Sequence, residues 1–135
     1  MRILHKKPFF LDLNVKFWMG GIKMNQVILV GEVCDDAETI FDKKEAETKL
    51  MRFHLSVPRP FKNREGRYEE DIIKIKVWSN NVEDSKVSLK KAAIIGVRGR
   101  ISSYPYTNAE GEELFSNDVI ADRVTYLTTN VGKID

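Results

Sequence analysis

Residues 71–78, DIIKIKVW, alternate with the period of a strand, and this pattern constrains the chain more than any other. Successive strand side chains point to opposite faces, so Ile73, Ile75 and Val77 share one face and Ile72, Lys74, Lys76 and Trp78 the other. The first face belongs in a core. The second sets two ammonium groups between an apolar residue and an indole. That order suits a chain of phosphates carrying flat bases, because each base can stack while its phosphate is neutralised. An amphipathic strand with a solvated outer face explains the same eight residues, and they leave both readings open.

The rest of the chain supplies partners for this strand. Residues 26–33, QVILVGEV, are short and β-branched and form a first strand, with Gly31 as a bulge or a point of close approach. Residues 34–49 are charged and poor in apolar anchors, which predicts a long loop with a short strand around 39–41. A second strand covers 50–57, with Met51, Phe53, Leu55 and Val57 inward and Arg52, His54 and Ser56 outward. Pro58 and Pro60 are expected to end it, and 61–67 follows as a basic hairpin tip turning at Gly66. The third strand is 71–78. Residues 79–91 carry capping groups, acids early and lysines late, the charge order of a short helix lying on a barrel end. A fourth strand, 93–101, turns Ile95, Val97, Gly99 and Ile101 to one side and Arg98 and Arg100 to the other. It leads through SSYPY to a second hairpin at 107–112, with Gly111 at the turn, and a fifth strand spans 113–127. Five strands with one short helix between the third and fourth make an all-β OB-fold barrel, whose central strands and hairpins bind oligonucleotides.

A chain of 135 residues has room for one such domain with a real core. No apolar run approaches the roughly 18 residues that cross a membrane, so no membrane contact is expected. The single cysteine, Cys34, fits a reducing, cytoplasmic setting as a small residue at a strand end. The net charge of +2 hides an asymmetry: residues 1–23 hold five Lys or Arg and one Asp, which leaves 24–135 near −2. Affinity for a polyanion must therefore come from a local basic surface. Residues 1–23 are expected to be a disordered arm, sequence upstream of a start at Met24, or a docking strand. Two histidines and one cysteine assemble no zinc or Cys–His site, and Asp35-Asp36 and Glu69-Glu70-Asp71 read as charged strand flanks. No phosphate loop is present, since Gly96 and Gly99 lie inside a strand without a following Lys-Ser/Thr. The expectation is a protein with no catalytic residues, metal or cofactor.

From Met24 to Leu127 the chain also resembles the bacterial single-stranded DNA-binding protein family. The resemblance rests on MNQVILVG at 24–31, DAE at 36–38, FKN at 61–63, GVRGRI at 96–101 and VIADRVTYL at 119–127, in the family's order and spacing. It implies base stacking at four places. The family's hairpin aromatic falls on Phe61, the aromatic opening the third strand on Ile72, the one closing it on Trp78, and the one entering the second hairpin on Tyr106. Ile72 can touch a base but cannot stack on it. The accompanying phosphate track is expected from Arg52, Arg59, Lys62, Arg64, Lys74, Lys76, Arg98 and Arg100. The resemblance further implies a homotetramer or dimer that coats single-stranded DNA during replication, recombination, repair or DNA uptake. A protein-interaction adaptor of primosome or mobile-element assembly is the alternative. Family members commonly close in an acidic tip that recruits partner enzymes; residues 128–135, TTNVGKID, have none, which predicts a short form without tail-mediated partners. Ala92 stands where the family commonly has glycine. The expected organisation is an extension at 1–23, the binding domain at 24–128 and a short end at 129–135.

Overall fold

The computed structural model describes residues 23–83 and 89–128. Six strands form: β1 Val27–Val33, β2 Glu38–Lys43, β3 Thr48–Lys62, β4 Tyr68–Trp78, β5 Ile94–Thr107 and β6 Glu113–Thr128. β1 pairs antiparallel with both β3 and β5, β4 pairs antiparallel with β3, and β6 bonds β5 on one side and runs parallel to β4 on the other. Five strands thus close a barrel in the order β1-β3-β4-β6-β5, and β2 adds an outer strand to β3. This is the expected all-β, OB-type architecture. The barrel, Gln26–Ser102 with β6 from Asp118 onward, and the hairpin Ser103–Asn117 are two compact units.

The alternation read from the sequence holds in the barrel. Phe53, Leu55, Ile75, Val77, Ile95 and Val97 are buried, and Met51, Val57 and Ile73 pack partly buried against them. Each full burial of such a side chain is worth about 1.5–3 kcal/mol. Gly31 is a point of close approach: a Cβ there would lie 2.3 Å from the Ser56 carbonyl oxygen, so any larger residue would force β1 off β3. Ala92 holds φ +78°, a left-handed conformation that glycine adopts without steric penalty.

Three local expectations are corrected. β3 does not end at Pro58 but runs through Pro60 to Lys62. Its ladder with β4 shifts register between Pro58 and Lys62, so the prolines, which have no N–H to give, fall where the pairing is already irregular. Within the expected loop, β2 is a full six-residue strand with a bulge between Thr39 and Phe41. The helix expected over 79–91 is represented, among the described residues, by one 3-10 turn, Ser79–Asn81. Val82 leaves that turn with extended backbone, bridges Val124 of β6 and joins the core, and burying it there ends the turn. Residues 84–88 lie outside the described residues.

Both long hairpins are closed by the same device. In the first, Asn63 Oδ1 accepts the N–H groups of Glu65 and Arg67, both at 2.9 Å. In the second, Asn108 Oδ1 accepts those of Glu110 and Glu112, at 3.0 and 2.9 Å. Gly66 and Gly111 complete the turns at φ +79° and +83°. An Asn whose side chain caps its own turn, followed three residues later by glycine, is a local instruction for a hairpin.

Candidate nucleic-acid interface

Directly opposed residues of neighbouring strands share a face, so the ladders fix which side chains stand beside the row Ile72, Lys74, Lys76, Trp78. Ser56 lies opposite Ile72, His54 opposite Lys74, Arg52 opposite Lys76, and Leu50 opposite Trp78. β2 extends two of these rows, placing Glu38 opposite Arg52 and Phe41 opposite Leu50. The outer face of β2, β3 and β4 is therefore one continuous surface, apolar at one end, cationic in the middle and aromatic at the other.

The aromatic positions differ in surroundings. Phe61, near the end of β3, is 60% exposed, and Ile72 is 56% exposed. Trp78 is half-buried at the end of β4, its ring edge-to-face with Phe41 at 6.1 Å and 89°. Tyr106 is 44% exposed on the separate hairpin Ser103–Asn117. Tyr68 is exposed opposite Lys62, whose Nζ stands 5.7 Å over its ring, an aromatic–cation pair that the sequence reading passed over.

Most of the expected cations have carboxylate partners. Arg52 pairs with Glu38. Arg59 is gripped twice, by Asp71 through Nη2 at 2.8 Å and by Glu69 through Nη1 at 2.8 Å. The hydrogen bonds from Arg59 hold the Asp71 carboxyl below the usual carboxylate range. Arg98 bonds Asp122 at 2.7 Å and lies opposite Ile28, on the outward face of β1 and β5 and not on the face of Lys74 and Lys76. Arg100 is on that same side of β5. Arg64 and Arg100 have no carboxylate partner among the described residues.

Lys74 and Lys76 share a partner that the sequence did not reveal. Asp118 of β6 is 1% exposed at its side chain, and its two oxygens lie 3.9 Å from Lys74 Nζ and 3.1 Å from Lys76 Nζ. Neither oxygen accepts a well-directed hydrogen bond, although the 3.1 Å approach is within reach of one, so attraction between charges holds this group together more than directed bonding. A carboxylate this buried needs such partners. Asp118 thus offsets one of the two lysine charges. In the middle of β3, opposite Lys74, the His54 N–H donates to Asp35 at 2.9 Å and His54 Nδ1 meets it at 3.0 Å, and the backbone bond lowers the Asp35 carboxyl below the usual range. Burial, then Asp35, Glu70 and Glu32, push the Cys34 thiol up, away from the reactive thiolate.

Comparison with known proteins places this face in context. A single-stranded DNA-binding protein of Halalkalibacterium halodurans is 36% identical over 104 residues, which cover 77% of this chain and 61% of that protein. One of Streptococcus pyogenes is 35% identical over 110 residues, covering 82% and 66%. The chain thus spans less than two thirds of the length of these relatives. Two solved structures share the fold: a Plasmodium falciparum SSB in complex with ssDNA, at a TM-score of 0.63 and 15% identity over 80% of this chain and 98% of that one, and the dimeric N-terminal domain of PriB from Thermoanaerobacter tencongensis, at 0.55 and 21% over 77% and 97%. The model of the single-strand binding protein family matches residues 24–127, the whole span that contains the barrel, the outer face and both hairpins, and the chain belongs to that family.

Proposed function

We propose that this protein is a non-catalytic, sequence-neutral binder of single-stranded DNA that coats exposed strands in replication, recombination, repair or DNA uptake. The observation that carries the reading is the outer face of β4, where Lys74 and Lys76 stand between Ile72 and Trp78 in a member of the single-strand binding protein family. Bases stack on Trp78 and Phe61 and touch Ile72; phosphates meet Lys74 and Lys76 and the cations of the first hairpin. Neither kind of contact reads base edges, so binding is sequence-neutral to first order. The test is a titration with oligo(dT), following Trp78 emission in a Trp18→Phe background. Quenching that saturates is expected; unchanged emission and no mobility shift, with the fold intact, would overturn the reading.

A second reading is favoured by the pairing of Arg52, Arg59 and Arg98 with carboxylates, which removes much of the expected phosphate track. An adaptor of primosome or mobile-element assembly with weak DNA binding fits that economy of free charge. The same titration separates the two, since an adaptor gives weak binding with a flat salt dependence. We also propose that the chain acts as a homodimer or homotetramer. Ile28 and Val30, 72% and 53% exposed, form an apolar stripe on the outward face of β1, where charged side chains would serve a monomer better. Sedimentation equilibrium should give an oligomer that Ile28→Lys shifts toward monomer.

A further inference from the structure

The rows of the outer face run past β4 onto β6. Val119, beside Ile75, is buried in the core, so Asp118 and Ile120 turn to the opposite side of β6, the side of Lys74 and Lys76. Asp118 is nevertheless buried, and neither of its oxygens accepts a directed hydrogen bond; among the described residues the cations that face it are Lys76 Nζ at 3.1 Å and Lys74 Nζ at 3.9 Å. The other carboxylates that hold cations of the barrel are differently placed. Glu38, Asp71 and Asp122, which pair with Arg52, Arg59 and Arg98, are all exposed. Such an acid returns to water when a phosphate takes its partner, at little cost. Asp118 has no water to return to. A buried carboxylate that loses a cation is left uncompensated, which costs far more than breaking an exposed pair. The lysine side chains, 34% and 20% exposed, reach solvent and this fixed anion at once.

We propose that Asp118 is a fixed competitor for the phosphate at Lys74 and Lys76, and that it sets how tightly the middle of the outer face holds a strand. The inference rests on the single-stranded DNA reading given above and names a residue that limits the binding instead of making it. With one carboxylate between them, the two lysines count as one phosphate contact and not two. An approaching phosphate meets ammonium groups already drawn toward Asp118, and it must share them because the carboxylate cannot leave. A protein that coats single strands must also give them up, and an anion built beneath the track keeps the grip on phosphate weak enough to release.

The experiment uses the full chain, oligo(dT) and a series of salt concentrations. Asp118→Asn keeps the shape of the side chain and removes its charge; it should tighten binding severalfold at low salt and steepen the log–log salt slope by about 0.7, the equivalent of one added phosphate contact. Glu32→Gln, the same change of net charge on the outward face of β1, measures what net charge alone contributes and should leave the slope unchanged. Lys74→Gln alone should flatten the slope, and Asp118→Asn added to it should restore the wild-type value, since the lost cation and the lost anion cancel. This double variant also decides the matter if Asp118→Asn by itself fails to fold. Weaker binding or an unchanged slope in a folded Asp118→Asn, or no rescue in the double variant, overturns the competitor: Asp118 would then serve to hold the lysines in place for the strand. A wild type that does not bind oligo(dT) at all brings down the DNA reading itself, which keeps the two failures distinct.

Discussion

The two long hairpins are built on the same turn and carry opposite charge. Each is closed by an Asn that accepts two backbone N–H groups, with a glycine three residues on at positive φ. Around the first turn stand Phe61, Lys62, Arg64, Arg67 and Tyr68 with one acid, Glu65; around the second stand Tyr106, Glu110, Glu112 and Glu113 with no base. The backbone instruction is therefore separable from the cargo it displays. A cationic tip with exposed rings is fitted to a nucleic-acid backbone, whereas a ring among three glutamates faces repulsion from every approaching phosphate. Equivalence of position, which placed Phe61 and Tyr106 in one stacking set, does not carry equivalence of field.

The strongest way to break this contrast is to invert it. Replacing Lys62, Arg64 and Arg67 by Glu should make the salt dependence of oligo(dT) binding shallower by roughly 2 in log–log slope, at about 0.7 per phosphate contact. The mirror change, Glu110→Lys with Glu112→Lys, should steepen it. An unchanged slope in the first variant would show that the basic tip never meets the strand. Next in size is the aromatic pair. Phe61→Ala should cost about 1–3 kcal/mol of binding free energy, the range for one stacked base, and Tyr106→Ala clearly less, measured by competition at fixed salt. Equal losses would mean that stacking outweighs the local field, and the contrast between the hairpins would be one of charge alone.

Much of this was legible in the chain because the relevant signals are local. The period-two pattern of 71–78 places Ile75 and Val77 in the core and Lys74, Lys76 and Trp78 outside, since the pleat decides it without help from neighbours. The turn glycines are equally local. What escaped the sequence depends on pairing. Asp118 is more than forty residues from Lys74 and Lys76 along the chain, and the parallel pairing of β4 with β6, Ile75 beside Val119, brings it between them. The bulge in β2 is a shift of one residue that no composition marks, yet it decides on which face Phe41 stands. Pro58 and Pro60 signalled a strand end that the irregular ladder absorbs. For the same reason a count of Lys and Arg overstated the phosphate track: the carboxylates that occupy Arg52, Arg59 and Arg98 come from strands whose neighbours only the fold decides.

The smallest expected effect lies at the base of the first hairpin, where the Arg59 fork ties β3 to Asp71 and Glu69 of β4. Asp71 has its carboxyl lowered by the side-chain bonds and then the charge of Arg59, and Arg59 is raised in turn by Asp71 and stays charged throughout. A carboxyl that is more acidic in the folded chain adds stability that is complete above its unfolded value, near pH 4, and is lost as the pH falls through the lower folded value. Both groups are open to solvent, so the contribution is small and salt screens it. Wild type and Asp71→Asn should therefore unfold at temperatures that differ slightly at pH 7 in low salt and converge in acid, once the pH has fallen through the lowered Asp71 value, and 1 M salt should bring them together at either pH. The acid loss that remains in Asp71→Asn belongs in part to Asp35, whose carboxyl is lowered by the His54 N–H and is untouched by the substitution. A difference that persisted in acid or in high salt would mean that Asp71 supports the hairpin through packing and not through charge, and the Arg59 cluster would then be a rigid hinge for the basic tip instead of an electrostatic one.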